Sequence, residues 1–254
     1  MIRHILSAPI TVEIWLALMI PSLIWTIFDL NTRNRHLMSL MKLVWSLTVL
    51  YSGPLGLLIY LYSGRKEIAR DTLWRRGFRS VAHCYSGCGL GEIIGVVITV
   101  GILSTGTLTT TLVTFSLAYL VGFALTAGPL IQDSSPIPKA LKDAVISETA
   151  SITVMEITAI AVSLVVGQKA GLSEPLFYSS LILSLSCGVL AAYPVNLLLI
   201  RFGVKEGMMD PRMTDHGSMD HAHGPAAHEG HQMSEIVNPP DGSDGLQERR
   251  PAPE

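Results

Sequence analysis

The stretch Ala82-His83-Cys84-Tyr85-Ser86-Gly87-Cys88-Gly89-Leu90-Gly91-Glu92-Ile93-Ile94-Gly95-Val96-Val97-Ile98-Thr99-Val100-Gly101-Ile102-Leu103 decides how the rest of the chain is read. It has the length and apolar character of a helix crossing a bilayer core, which takes about 20 residues. Yet it carries a histidine, two thiols and a carboxylate. Lipid offers no water to solvate such groups, so at membrane depth they mark a working site. Helical geometry sets residues four apart on one face. Cys84, Cys88 and Glu92 therefore form one stripe, and His83, Gly87, Gly91 and Gly95 form the stripe beside it. Glycines at that spacing let another helix approach backbone to backbone.

Composition supports the same environment. The 254 residues are 49% hydrophobic and only 15% charged, with a mean hydropathy of +0.43. Soluble domains average about 25% charged residues. A net charge of -2 gives no basic or acidic excess, so nucleic acid is not an expected partner. The 3 cysteines do not make a disulfide framework. No glycine-rich phosphate loop occurs, so no nucleotide is expected. A single intramembrane histidine cannot supply two axial ligands, so no haem is expected either.

Apolar runs predict an all-α membrane protein, a bundle of about six transmembrane helices. They cover residues 10–28, 40–62, 82–103, 108–131, 144–166 and 176–202. Pro21, Pro54, Gly56 and Pro194 fall inside these runs and are tolerated where neighbouring helices re-satisfy the backbone. Arg3 ahead of an apolar run resembles a secretory signal. Glu13 interrupts that run and no small-residue cleavage pattern follows, so a retained helix is expected. Three parts result. Residues 1–80 hold two N-terminal transmembrane helices and a basic loop, read as an amphipathic helix over 64–79. Residues 81–208 form a four-helix transmembrane core, and 209–254 form a disordered tail.

Arg65, Lys66, Arg70, Arg75, Arg76 and Arg79 precede the third run, Lys139 and Lys142 precede the fifth, and Arg201 and Lys205 follow the sixth. With six crossings these lie on one side, opposite Arg33, Arg35 and Lys169. Basic loops stay in the cytoplasm. The expectation is a bacterial cytoplasmic (inner) membrane protein with both termini cytoplasmic.

Beyond Lys205 the composition changes. His216, His221, His223, His228 and His231, with Met219, Asp220 and Met233, recur at short spacing among Gly, Pro and Asp, without an aromatic residue. Such a segment cannot bury enough apolar area to offset chain entropy. Imidazole suits copper, nickel and zinc, and thioether favours cuprous copper. Inside the bundle, Cys84 and Cys88 with His83 can share a soft ion, helped by Cys187 or Met155. Glu92, Glu148 and Glu156 then balance charge or form a proton path. Ser151 and Ile152 lie between Glu148 and Glu156 on the fifth run. Pro194 frees a helix carbonyl, and Asn196 can hydrogen-bond across helices. Thr105 to Thr114 is read as threonines bonding back to helix carbonyls.

His83-Cys84-Tyr85-Ser86-Gly87-Cys88, Gly91-Glu92-Ile93-Ile94, Tyr193-Pro194-Val195-Asn196 and Gly203-Val204-Lys205-Glu206 together resemble an uncharacterised family of multi-pass bacterial membrane proteins, a domain of unknown function. The resemblance covers about 81–208, and Glu92 stands where that family often has aspartate. It implies a membrane bundle and no particular activity. The leading functional expectation is transport or transfer of a soft transition-metal ion, copper favoured, fed by the tail. Its partners would be the bilayer, the metal, a further copy of the chain or metal-resistance proteins. The alternative is a proton-coupled transporter or assembly factor for a non-metal substrate, using the glutamates. A membrane thiol redox enzyme ranks below both, because Cα atoms one helical turn apart accommodate a disulfide only with strain.

Overall fold

In the computed structural model the described residues are 2–132, 136–167, 170–205, 208 and 210–212. The chain divides into two units, Met1–Thr214 and Asp215–Glu254, and the second lies wholly outside the described residues. The short α1 (Ile2–Leu6) leads into α2 (Pro9–Thr32), followed by α3 (Ser39–Ser52) and α4 (Pro54–Ser63). Next come α5 (Leu73–Val96), which continues as a π-helical segment Val97–Ile102, and α6 (Thr107–Gln132). Then follow α7 (Ile137–Val162), continued by a second π-helical segment Ser163–Gly167, and α8 (Pro175–Arg201). No strand occurs among the described residues. Among the described residues, 5 helices are long and apolar enough to cross a membrane: Pro9–Thr32, Leu73–Ile102, Thr107–Ala127, Ile137–Gly167 and Pro175–Arg201. The protein is a multi-pass α-helical membrane protein.

The second expected span is instead a helical hairpin. At Gly53 the backbone takes φ +56°, a conformation open to glycine and costly for other residues. Pro54 then starts a new helix at its first position, where its missing N–H is not needed. The two halves fold back on each other. A Cβ added at Gly56 would lie 2.6 Å from the Thr48 carbonyl oxygen, so only glycine permits this approach. Trp45 and Tyr60 pack ring to ring across the hairpin at 5.3 Å. The 14 residues of α3 extend about 21 Å at 1.5 Å per residue, short of the roughly 30 Å hydrocarbon core.

Polar contacts fix where the hairpin begins and ends. Tyr60 donates to Asp29 Oδ2 at 2.7 Å, and Arg65 bridges Asp29 at 3.1 Å. The Lys66 backbone N–H donates to Asn34 Oδ1 at 2.9 Å. The base of the hairpin therefore sits at the end of α2, while its tip reaches mid-bundle, where Ser52 donates to the Tyr85 hydroxyl at 3.0 Å. At the same end as the base, His36 Nε2 donates to Pro211 O at 2.6 Å and Arg79 donates to Met208 O at 3.3 Å. We call this the basal end. It also receives the end of α8, so 210–212 belong to the bundle rather than to the tail expected from residue 209.

Three expectations change. Five long apolar helices and a hairpin leave the start of α2 and the end of α8 at opposite ends of the bundle, where six full-length helices would have brought them together. Arg33 and Arg35 lie at the basal end with Arg65, Lys66 and Arg79, not across the membrane from them. Residues 65–72 are not an amphipathic helix: α5 starts at Leu73, with Thr72 accepting from the Arg75 N–H at its N-terminus.

The long helix α5 is the centre of the bundle. Half of its span, 50%, is buried, against 17% for α2 and α6. Gly87, Gly91 and Gly95 form the ridge expected of them, pressed against α6. A Cβ at Gly91 would lie 2.5 Å from Leu117 O, and one at Gly95 would lie 2.8 Å from the Thr114 Cα. On the adjoining face, Cys84, Tyr85 and Cys88 pack with Ile152, Met155 and Val189 of α7 and α8.

Candidate functional site

The polar groups of α5, α6, α7 and α8 form two layers inside the bundle. The first, nearer the basal end, centres on Glu148 and Lys205. Their side chains are 2% and 4% exposed, and Lys205 Nζ lies 2.7 Å from Glu148 Oε1. Lys205 also donates to Asn196 Oδ1 at 3.1 Å. Ser80 donates to the same oxygen at 2.8 Å, and the Asn196 amide donates to Ser151 Oγ at 2.5 Å. Ser151 in turn points its hydroxyl at Cys84 Sγ, 3.5 Å away. Thr126 of α6 donates to Glu148 Oε1 at 3.3 Å and lies 3.4 Å from His83 Nε2. Pro194 sits inside α8, which continues past it.

The second layer lies about one to two helical turns deeper. It holds Cys88, packed in one core with Cys84, and the carboxyls of Glu92 and Glu156. All are buried, and Glu92 Oε2 has no hydrogen-bond partner among the described residues. A buried carboxylate oxygen left without a partner is costly, which makes it a place for a ligand, a proton or a water. Both cysteines are free thiols.

Glu92 also faces a cavity of about 340 Å³ that leads from the turn at Thr105–Thr107 into the bundle. Thr110, Thr111, Thr114, Ser163 and Ser180 give it a hydroxyl lining. Thr114 does bond back to Thr110 O at 2.9 Å, as expected, but it also lines this path. The two π-helical segments flank the cavity, contributing Val100 on one side and Ser163, Leu164 and Gly167 on the other. Such segments are rare and gather at functional sites.

The structure packs Cys84 and Cys88 with Met155 and Ile152 in one core and buries Glu92 and Glu156 in the same bundle. It does not bring in Cys187, which is half-buried and outside that core. His83 turns towards Thr126, with no partner for Nδ1 among the described residues, rather than closing on the two thiols. Among the described residues no three His, Cys, Asp or Glu side chains are placed to hold one metal ion. His216, His221, His223, His228 and His231 lie outside the described residues. Sequence reasoning missed Ser80 and Thr126, and took Lys205 for a flanking charge. Gly203, two residues ahead of Lys205, was the available sign that the chain reverses there.

The family model described as Domain of unknown function (DUF4396) matches residues 73–205, just over half of the chain. The chain belongs to this family. The match starts where α5 starts and ends on Lys205, so the family unit is α5 to α8 together with the residue that closes the first polar layer. The hairpin and α2 fall outside it. No curated protein and no solved structure matches the chain.

Proposed function

We propose that the protein moves a small cation across a bacterial cytoplasmic membrane through the α5–α8 bundle. The observation that carries this reading is the cavity that ends on Glu92, a buried carboxylate with an unpartnered oxygen. Behind it the carboxyl of Glu156, the thiols of Cys88 and Cys84, and the Glu148–Lys205 layer continue as a chain of polar groups towards the basal end. Carboxylates inside a membrane bundle serve as cation stations and proton carriers. The basal end collects Arg33, Arg35, Arg65, Lys66, Arg70, Arg75, Arg76 and Arg79, which supports a cytoplasmic position for it. The cavity then opens to the outside, and α2 starts outside. The test is cation flux into liposomes holding the full-length protein, read for protons, zinc and cuprous ion. Glu92→Gln keeps size and loses charge, and should abolish the flux. Undiminished flux in that variant overturns the reading.

A second reading narrows the cargo to a soft transition metal, supported by two buried thiols one turn apart on α5 and the buried carboxyls of Glu92 and Glu156. Two thiols beside a carboxyl suit cuprous copper or zinc better than a proton alone. The histidine-rich tail, cytoplasmic in this arrangement, would collect or receive the same ion. Charge compensation falls to Glu92 and Glu156.

A further inference from the structure

Lys205 reaches the bundle interior only because α8 ends in a reversal. Gly203 takes φ +70°. The Val204 N–H donates to Leu199 O at 2.9 Å and the Gly203 N–H to Ile200 O at 3.1 Å. These paired bonds form the glycine-dependent helix stop of the Schellman type. A lysine just past a helix end at the membrane surface ordinarily extends its ammonium into water. Here the hook turns it inward, and Lys205 is 6% exposed.

Its ammonium rests in a seat of three oxygens: Glu148 Oε1 at 2.7 Å, Glu148 Oε2 at 2.8 Å and Asn196 Oδ1 at 3.1 Å. Two of the three oxygens are held by other helices as well. Thr126 of α6 fixes Oε1, Ser80 of α5 fixes the Asn196 oxygen, and Ser151 of α7 and Ala192 O orient the Asn196 amide. The result is a cation-sized position built from four helices and filled by a side chain on a short hook. Removing only one partner of a buried ion pair is strongly unfavourable. Replacing the ammonium by another cation leaves Glu148 paired.

We infer that this seat is a second cation station and that Lys205 is a tethered competitor which closes it. A cation arriving through Glu92 and Glu156 takes the seat as the hook carries Lys205 out to basal water. This inference rests on the cation-transport reading and deepens it by naming the inner station and its plug.

Two measurements on the full-length protein test it. The first follows acetylation of Lys205 by mass spectrometry while zinc, cuprous ion or sodium is added singly. A cation that favours the released state shifts the population towards it, so labelling should rise about fivefold with the cargo ion. The second compares flux in liposomes for the wild type, Lys205→Met and Glu92→Gln. Without the tether, Lys205→Met should carry about fivefold more, because the closed state no longer lowers apparent affinity. If Lys205→Met does not fold, the labelling of the wild type decides. Flux that needs Glu92 but does not rise in Lys205→Met, with labelling unmoved by every ion, overturns the plug and leaves the transport reading standing. Labelling that rises without any flux overturns transport and leaves the seat standing.

Discussion

Tyr60 donates its hydroxyl proton to Asp29 across 2.7 Å, tying the returning arm of the hairpin to the end of α2. Asp29 is 2% exposed and also takes Arg65 at 3.1 Å and Asn34 at 2.9 Å. One carboxylate thus anchors three segments. Hydrogen bonds to a buried charge are worth about 1.5–3 kcal/mol, so Asp29→Ala should lower stability by about that amount or more. Tyr60→Phe removes one of the bonds and should cost about 1 kcal/mol. Thermal unfolding in detergent, followed by circular dichroism, checks both.

The hairpin also predicts sidedness. Arg35→Cys and Lys66→Cys should react with an impermeant thiol reagent from the same side of the membrane as Lys139→Cys. Thr105→Cys should react only from the other side. Labelling of positions 35 and 66 from opposite faces would restore a full second crossing.

Gly91 tests the contact of α5 with α6. A methyl group there would meet the backbone of Leu117 and Ala118 at 2.5 and 2.6 Å, which side-chain adjustment cannot relieve. Overpacking of this kind costs about 1–3 kcal/mol. Gly91→Ala should therefore lower the unfolding temperature by several degrees. Gly106→Ala, with nothing within 4 Å of the added methyl, should be neutral.

The thiols separate a metal cargo from a proton cargo. The chain should be shortened after Arg212, because Met208 O and Pro211 O accept from Arg79 and His36. That truncation should lower metal capacity while leaving the unfolding temperature unchanged. In it, Cys84→Ser with Cys88→Ser should remove bound cuprous ion or zinc, measured by elemental analysis, and spare proton flux. Retained metal without either thiol would rule out the soft-ion station, and a chelator that strips the metal should leave helix content intact.

The glycine ridge was legible in the sequence because its partners repeat at a fixed helical spacing, and so was the membrane bundle, because hydropathy is local. The hairpin was not. Residues 40–62 are apolar throughout, and bilayer helices tolerate Pro54, so composition alone reads one span. What divides it is the backbone at Gly53 together with Asp29, which lies 31 residues before Tyr60. The acidic and thiol stripe of α5 was visible from its spacing, and Glu148 and Glu156 from their depth. The pairing of Glu148 with Lys205 spans 57 residues and depends on a reversal at Gly203. No periodicity encodes such a contact.

The hairpin sets an order of assembly that departs from the order of synthesis. Its arms are too short to be threaded across a bilayer by themselves, and the buried hydroxyls of Thr48 and Ser52 look forward along the chain. Thr48 reaches Ala82 O at 3.4 Å and Ser52 reaches Tyr85, while the ring of Tyr51 lies over Gly89. Those partners emerge from the ribosome only after the hairpin has been made. Until α5 is in place, α3 and α4 have only the α2 side of their packing, so the hairpin is completed by a segment made after it.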